Sequence, residues 1–94
     1  MKLKLKGTEA AAGVNTGAAS NVGSATLVRV HNSGTTERLV TLEEAGGTDI
    51  GTFTISGGAT EYIDKAPTDK IFAAHAEILL VSVAFRNSSK SVLL

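Results

Sequence analysis

Histidines and paired carboxylates are the side chains in this sequence with the clearest potential for chemistry. His31 and His75 are the only two histidines among the 94 residues. A metal site would need both of them to converge with a carboxylate, and nothing in their spacing predicts this. Glu43 and Glu44 are adjacent, and neighbouring side chains on a strand point to opposite faces, so they cannot flank one bond. We therefore expect solvent-facing histidines, a solvated Glu43-Glu44 loop entry, and no catalytic or metal-binding residues.

The glycine-rich segments do not match known phosphate-binding or nucleophile motifs. Gly46-Gly47 and Gly57-Gly58 lack the Lys-Ser or Lys-Thr ending of a phosphate loop and do not precede a helical pattern. The sequence also has no Gly-x-Ser-x-Gly elbow. We interpret both glycine pairs as turns, and we predict a protein that is not an enzyme and that binds no cofactor.

Charge and composition narrow the classes of partner. Nine basic and nine acidic residues cancel, so the chain lacks the general attraction to phosphate on which nucleic-acid affinity depends. Only four residues are aromatic, too few for an obvious base-stacking platform. No cysteine is present to form disulfides. Because no apolar segment has the length of a signal peptide core or a membrane span, we expect no membrane association and synthesis in the cytoplasm.

Alternating apolar and polar residues between turn signals predict an all-β domain. The pattern indicates a small antiparallel β-sandwich or barrel of about seven strands, immunoglobulin-like or jelly-roll-like. Gly57-Gly58 predicts a two-residue hairpin, because both central positions of a type I′ turn need positive φ. The strands are expected at residues 2–6, 26–31, 37–42, 49–56, 59–64, 70–74 and 78–86, with residues 91–94 as a final edge strand or docking tail.

The chain divides into an arm, a core and a tail. Residues 1–25 read as an extended strand followed by a Gly/Ala-rich arm with little apolar surface of its own, which we expect to be mobile in an isolated domain. Ala10-Ala11-Ala12 could begin a helical turn, but Gly13 and Gly17 argue against a long one. Residues 26–87 read as the sandwich and 88–94 as a tail. The predicted core is Val28, Val30, Phe53, Ile55, Leu79, Val81, Val83 and Phe85.

The alternating lysines and leucines at the start of the chain are the most informative local feature. An ordinary interpretation is an edge strand followed by a loop. The functional interpretation is a strand that adds to a neighbouring subunit, because backbone hydrogen bonds then supply affinity and the leucines fill pockets. An apolar tail is also costly to expose. The candidate subunit contacts are therefore Lys2, Leu3, Lys4, Leu5, Lys6, Val92, Leu93 and Leu94.

Over residues 20–87 the strands and turns resemble a group of small virion proteins of tailed phages, especially phages of marine cyanobacteria. The shared pattern is an Ala-Thr-x-Val-Arg-Val-x-Asn strand, a Gly-Gly-x-x-x-x-Ile-x-Lys strand, Pro-x-Asp-x-Ile-x-Ala, and a closing Val-x-Val-Ala-Phe strand. These patterns fall at residues 25–32, 57–65, 67–73 and 81–85. The resemblance implies a β-sandwich that coats or cements a capsid, or sits elsewhere on the particle, without enzymatic activity. The Lys/Leu alternation at residues 2–6 is not part of the shared pattern.

The resemblance and the residues together favour one function and leave others open. The leading expectation is a capsid decoration (cement) protein in the virion, contacting the major capsid protein or other virion subunits, as a homo-oligomer or assembled on the particle. A tail- or fibre-associated structural protein is one alternative. An immunoglobulin-like binding module for carbohydrate or a host-surface protein is another, since it would have the same composition.

Overall fold

The computed structural model describes residues 2–86, and eight strands and one short 3-10 helix account for their regular structure. Seven of the strands lie where the period-two pattern predicts them; the additional strand, β2, is two residues long. The tail at residues 88–94, including the predicted strand at 91–94, lies outside the described residues. The strands are β1 Lys2–Leu5, β2 Ala10–Ala11, β3 Leu27–Asn32, β4 Arg38–Glu43, β5 Asp49–Ile55, β6 Thr60–Asp64, β7 Lys70–Ala73 and β8 Ile78–Arg86, with the 3-10 helix at Thr16–Ala18.

The strands form two antiparallel sheets, which confirms the predicted fold class of a small all-β sandwich. The five-stranded sheet has the order β1-β8-β3-β6, and β2 also pairs with β8, on the stretch of that strand beyond β1. The three-stranded sheet has the order β5-β4-β7. The longest strand, β8, therefore organises the larger sheet, because it pairs with β1, β2 and β3.

The core lies between the two sheets and uses only part of the predicted set. Val28, Val30 and Ile55 are buried there, and Phe53 packs against them half-buried. The predicted face of β8 is wrong, because Val30 pairs with Leu80 and opposite residues in a ladder share a face. The core residues of β8 are thus Ile78 and Leu80, whereas Leu79, Val81, Val83 and Phe85 lie on the opposite side of the sheet. The remaining buried core residues are Ala12, Ala25, Val40, Ile71 and Ala73.

The Gly/Ala-rich arm closes one side of the sandwich. The Ala12 amide donates to the Ile78 carbonyl (2.8 Å) in the larger sheet, and the Ala73 amide of the smaller sheet donates to the Gly13 carbonyl (2.9 Å). Ser20 and Ile71 exchange two further backbone hydrogen bonds. Residues 7–25, expected to have little to bury, thus contribute two alanines to the core. No helical turn begins at residues 10–12, because Ala10 and Ala11 form β2.

The turn at Gly57-Gly58 exists, but the hairpin predicted across it is wrong. β5 pairs with β4 and β6 pairs with β3, so the turn crosses from one sheet to the other. Of the two glycines, only Gly58 has positive φ (79°), and the Ala59 amide donates to the Ser56 carbonyl. This geometry fits a type II turn rather than type I′. A Cβ on Gly57 would lie 2.5 Å from the Thr35 backbone. The glycine is therefore needed for this close approach to the β3–β4 loop.

Candidate interaction surface

The side of the five-stranded sheet that faces away from the core is rich in apolar residues, and we call it the outer face. Register places Leu3 opposite Phe85 and Leu5 opposite Val83 across the β1–β8 pair. Arg29 of β3 lies between Val81 and Tyr62 on its two neighbouring strands. The outer face is defined by Leu3, Leu5, Arg29, Tyr62, Val81, Val83 and Phe85.

Large apolar side chains on the outer face remain open to solvent. Leu5 is 66% exposed, and Leu3, Tyr62 and Phe85 are each about 40% exposed, whereas Val81 and Val83 beneath them are buried. The rings of Tyr62 and Phe85 lie 4.9 Å apart and are tilted by 60° to each other. Such tilted pairs are favourable, so these two side chains hold each other in place across the sheet. The result is a supported apolar surface rather than isolated exposed residues.

An ion pair crosses the outer face and borders a shallow groove. The Arg29 guanidinium lies 3.0 Å from the Glu9 carboxylate, with both side chains partly exposed. A groove of about 390 Å³ runs between this pair and the two leucines of β1, over Val81. An exposed pair of this kind contributes little to stability, about 1 kcal/mol at most. Its position instead gives the apolar surface a polar border.

The predicted subunit contacts at the start of the chain lie together in and after β1. All four residues of β1 are exposed, and the strand is held by backbone pairing with the end of β8. Lys2 and Lys4 alternate with the leucines and therefore lie on the opposite side of the sheet from the outer face. Lys6 follows the strand, and its amide donates to the Ser82 carbonyl (2.9 Å). The other predicted contacts, Val92, Leu93 and Leu94, lie outside the described residues.

The sequence-based hypothesis missed the part of the surface that β6 and β8 provide. The predicted core includes Val81, Val83 and Phe85, and the prediction gives Tyr62 no role. The signal for Tyr62 was its alternation with Ile63 on β6, since Ile63 packs against the core and its neighbours must point away. β8 offered no such signal, because both of its faces are apolar.

The residues considered for chemistry do not assemble into one site. His31 is half-buried, with Nδ1 2.9 Å from the Thr60 hydroxyl, whereas His75 is exposed and accepts from the Glu77 amide through Nδ1. Glu43 was expected in a solvated loop but is fully buried at the end of β4, where its Oε2 accepts from the Thr16 hydroxyl at 3.2 Å. The arm brings Thr16 over this end of the strand, a contact that the local sequence does not encode.

Residues 2–86 contain neither a cluster of metal-binding side chains nor a membrane-spanning helix. No three His, Cys, Asp or Glu side chains in this range come together as ligands. The same range contains no helix with the length and apolar character to cross a membrane. Comparison of the chain with family models, curated proteins and solved structures found no match.

Lys65 is buried next to the turn at Ala66–Asp69, and we expect the stability of the fold to depend on pH because of it. Burial lowers the pKa of its ammonium group below the ordinary 10.5, and the nearby Asp69 carboxylate partly opposes this. Between the lowered folded-state pKa and 10.5 the unfolded chain binds more protons, so stability should rise with pH through that window. We expect Lys65→Met to remove this contribution, so that denaturation midpoints of wild type rise relative to the variant from pH 7 towards 10.5.

The exposed Lys4→Met variant controls for the loss of one positive charge. Wild-type and Lys65→Met midpoints that stay parallel over the whole pH range would show that Lys65 carries no such penalty.

Proposed function

We propose that this chain is a non-enzymatic structural protein of a phage virion, a decoration (cement) subunit that stabilises the capsid shell through protein–protein contacts. The observation that carries the proposal is the outer face, where Leu3, Leu5, Tyr62 and Phe85 are exposed side by side over two buried valines. Contiguous exposed apolar surface of this kind marks interaction sites on soluble proteins. The resemblance to small phage virion proteins supplies the identity of the partner.

The physical benefit of docking is large for a domain of this size. A 94-residue chain without disulfides has a small core and modest stability. Covering the outer face removes apolar area from water at roughly 25 cal/mol per Å². Because only the folded state presents this surface, binding to the shell also stabilises the subunit. The same contacts therefore strengthen both the particle and the domain that binds it.

The charge of the chain fits a protein partner on the particle. With nine basic and nine acidic residues, the subunit has no net charge that would draw it to packaged nucleic acid. The proposed partners are the major capsid protein or other virion subunits, with this chain assembled on the particle or as a homo-oligomer. A tail- or fibre-associated position would use the same contacts on a different subunit.

The proposal predicts that the double substitution Leu3→Ser/Leu5→Ser weakens binding to capsid shells that lack this protein. The two leucines provide much of the exposed apolar area, so their loss should cost roughly 2 kcal/mol of binding free energy, or about thirtyfold in Kd. Co-sedimentation of the variant with undecorated shells, over a range of concentrations, measures the change. Denaturant unfolding of the free variant checks that β1 still pairs with β8.

A matched control removes exposed apolar side chains elsewhere. Val14 and Leu39 are 51% and 47% exposed and lie outside the outer face. Val14→Ser/Leu39→Ser should therefore bind shells like wild type. Equal weakening by both double variants would indicate nonspecific stickiness, and full-strength binding of Leu3→Ser/Leu5→Ser would refute docking through the outer face.

The Tyr62–Phe85 pair favours a second candidate, an immunoglobulin-like module that binds carbohydrate or a host-surface protein. Aromatic side chains are common anchors of binding surfaces. The 60° tilt between the rings leaves no continuous flat platform, which argues against stacking of a sugar ring on both. Glycan-array binding that is lost in Tyr62→Ala, together with shell binding unaffected by Leu3→Ser/Leu5→Ser, would favour this candidate over decoration.

A further inference from the structure

Among residues 2–86, no strand pairs with the outer edge of β1, and the backbone groups of that edge are suited to strand addition. β1 is the edge of the larger sheet, and within residues 2–86 no backbone hydrogen bond joins its outer side to another strand. The Lys6 amide points inward to Ser82, and backbone direction alternates along a strand. Lys2 and Lys4 therefore also bond to β8, whereas the N–H and C=O groups of Leu3 and Leu5 point outward. One added strand would satisfy all four of these groups.

We propose that this edge is a docking site for an edge strand of another protein in which acidic and apolar residues alternate. The partner's chemistry stated here rests on the proposed function, in which β1 contacts another subunit. In an antiparallel pair, directly opposite residues share a face and interact. Opposite Leu3 and Leu5, apolar residues of the partner would extend the outer face. Opposite Lys2, Lys4 and Lys6, which are exposed on the other side, carboxylates would pair with the ammonium groups.

A second copy of this chain is a poor occupant of the edge. Two β1 strands can pair antiparallel only in registers that set Leu3 and Leu5, the outward-bonding residues, against each other. Every such register also sets lysine against lysine; the centred one places Lys4 opposite Lys4 of the second copy and Lys2 opposite Lys6. Relative to the second β1, these lysines occupy non-hydrogen-bonded positions, where the Cα atoms of opposite residues approach most closely, to about 4.5 Å. Like charges directly opposite each other oppose pairing, so the alternation discourages self-association while leaving the edge open.

The protein itself supplies the complementary probe. In a variant with Lys2→Glu, Lys4→Glu and Lys6→Glu, β1 alternates glutamate and leucine, which is the chemistry proposed for the partner. Neither wild type nor this variant should self-associate through the β1 edge, because each repels its own copy there. Their 1:1 mixture should form a heterodimer in sedimentation-velocity experiments at low salt. Up to three opposite-charge pairs should lower its Kd at least about tenfold below that of either homodimer, and added NaCl should weaken the association.

A proline control tests whether association uses the backbone edge. The Leu3 amide points outward, so Leu3→Pro removes a donor to the partner but none to β8, and proline is tolerated at such edge positions. Heterodimer formation should be lost when wild type is replaced by Leu3→Pro. The proposal is overturned by a mixture that stays monomeric, by wild type dimerising as strongly alone, or by a heterodimer that survives Leu3→Pro.

The outcomes distinguish this proposal from the proposed function. A monomeric mixture, combined with shell binding that depends on Leu3 and Leu5, would refute strand addition and leave decoration through the outer face in place. A heterodimer that requires the Leu3 amide, combined with no binding to undecorated shells, would establish the edge chemistry and refute decoration.

Discussion

We expect Asn32→Asp to lower the free energy of unfolding by about 3 kcal/mol or more, although it replaces one atom with another of similar size. Asn32 is completely buried at the end of β3. Its Nδ2 donates to the Thr36 carbonyl (2.8 Å) and to the Ile55 carbonyl (3.1 Å), and its Oδ1 accepts from the Gly34 amide (2.9 Å). One side chain therefore joins β3, the β3–β4 loop and the end of β5.

The cost arises because a carboxylate cannot donate these hydrogen bonds. An aspartate would keep the contact with the Gly34 amide but would direct an oxygen at two carbonyl oxygens. A buried polar group without a partner costs about 1–3 kcal/mol, and a charged group costs more. Two carbonyls and one carboxylate oxygen would be affected. For a small domain with a total stability of about 5–15 kcal/mol, this is a large fraction.

Denaturant unfolding at pH 7 measures the effect, and Asn15→Asp is the matched control. Asn15 caps the 3-10 helix, and its Oδ1 accepts from the Ala18 amide at an exposed position. Aspartate caps helices about as well as asparagine, so this variant should stay within about 0.5 kcal/mol of wild type. A similarly small change for Asn32→Asp would mean that the Thr36 and Ile55 carbonyls do not depend on the side-chain amide of Asn32.

The role of Asn32 illustrates what the sequence could and could not predict. The Asn-Ser-Gly sequence at residues 32–34 is typical of a turn, and the hydrogen bond from the Gly34 amide to Oδ1 is the local contact that makes asparagine favourable there. Of the two donor contacts, the one to the Thr36 carbonyl stays within the β3–β4 loop, whereas the one to the Ile55 carbonyl reaches the other sheet and so depends on the tertiary structure. The local pattern therefore identified the element but not the residue's larger contribution.

The same distinction explains the errors in strand pairing. Strand positions were predictable, because alternation and turn residues are local properties. The strand that β6 pairs with was not predictable, because the Asn32 backbone holds the second half of the Gly57-Gly58 turn. The Asn32 carbonyl accepts from the Gly58 amide, and the Asn32 backbone amide donates to the Ala59 carbonyl. β6 is thereby directed to β3 rather than back along β5. The face of β8 was also undetermined by alternation, since a strand that is apolar on both sides gives no preference.

For the interaction surface, the sequence identified β1 and left its surroundings open. The alternation of lysine and leucine predicted an edge strand with one apolar side, and β1 is such a strand. The apolar surface continues from these leucines to Val83 and Phe85 because of the β1–β8 register, in which Leu5 lies opposite Val83. The pairing partner is almost 80 residues away along the chain, and no local pattern specifies it.

Ile71→Ala should cost about 3 kcal/mol of unfolding free energy, the second large effect that the structure predicts. Ile71 is buried in β7, where its backbone pairs with Leu42 of β4 on one side and with Ser20 of the arm on the other. Truncation of a buried isoleucine to alanine costs about 2–5 kcal/mol, depending on how far the surroundings can collapse into the space. A cleft of about 190 Å³ already lies beside Ile71, so the new space would enlarge an existing opening that the two sheets cannot close.

Ile50→Ala is the control, because Ile50 is the same residue type on β5 but is 50% exposed. Since roughly half of its side chain already contacts solvent, its truncation should cost about 1 kcal/mol or less. Denaturant midpoints at constant slope compare the two variants. Amide hydrogen exchange adds a second readout, because the Ser20 and Ile71 amides bond to each other's carbonyls and should lose protection together in Ile71→Ala. Equal costs at the two isoleucines, with the Ser20 amide still fully protected, would show that the arm and β7 do not depend on this side chain.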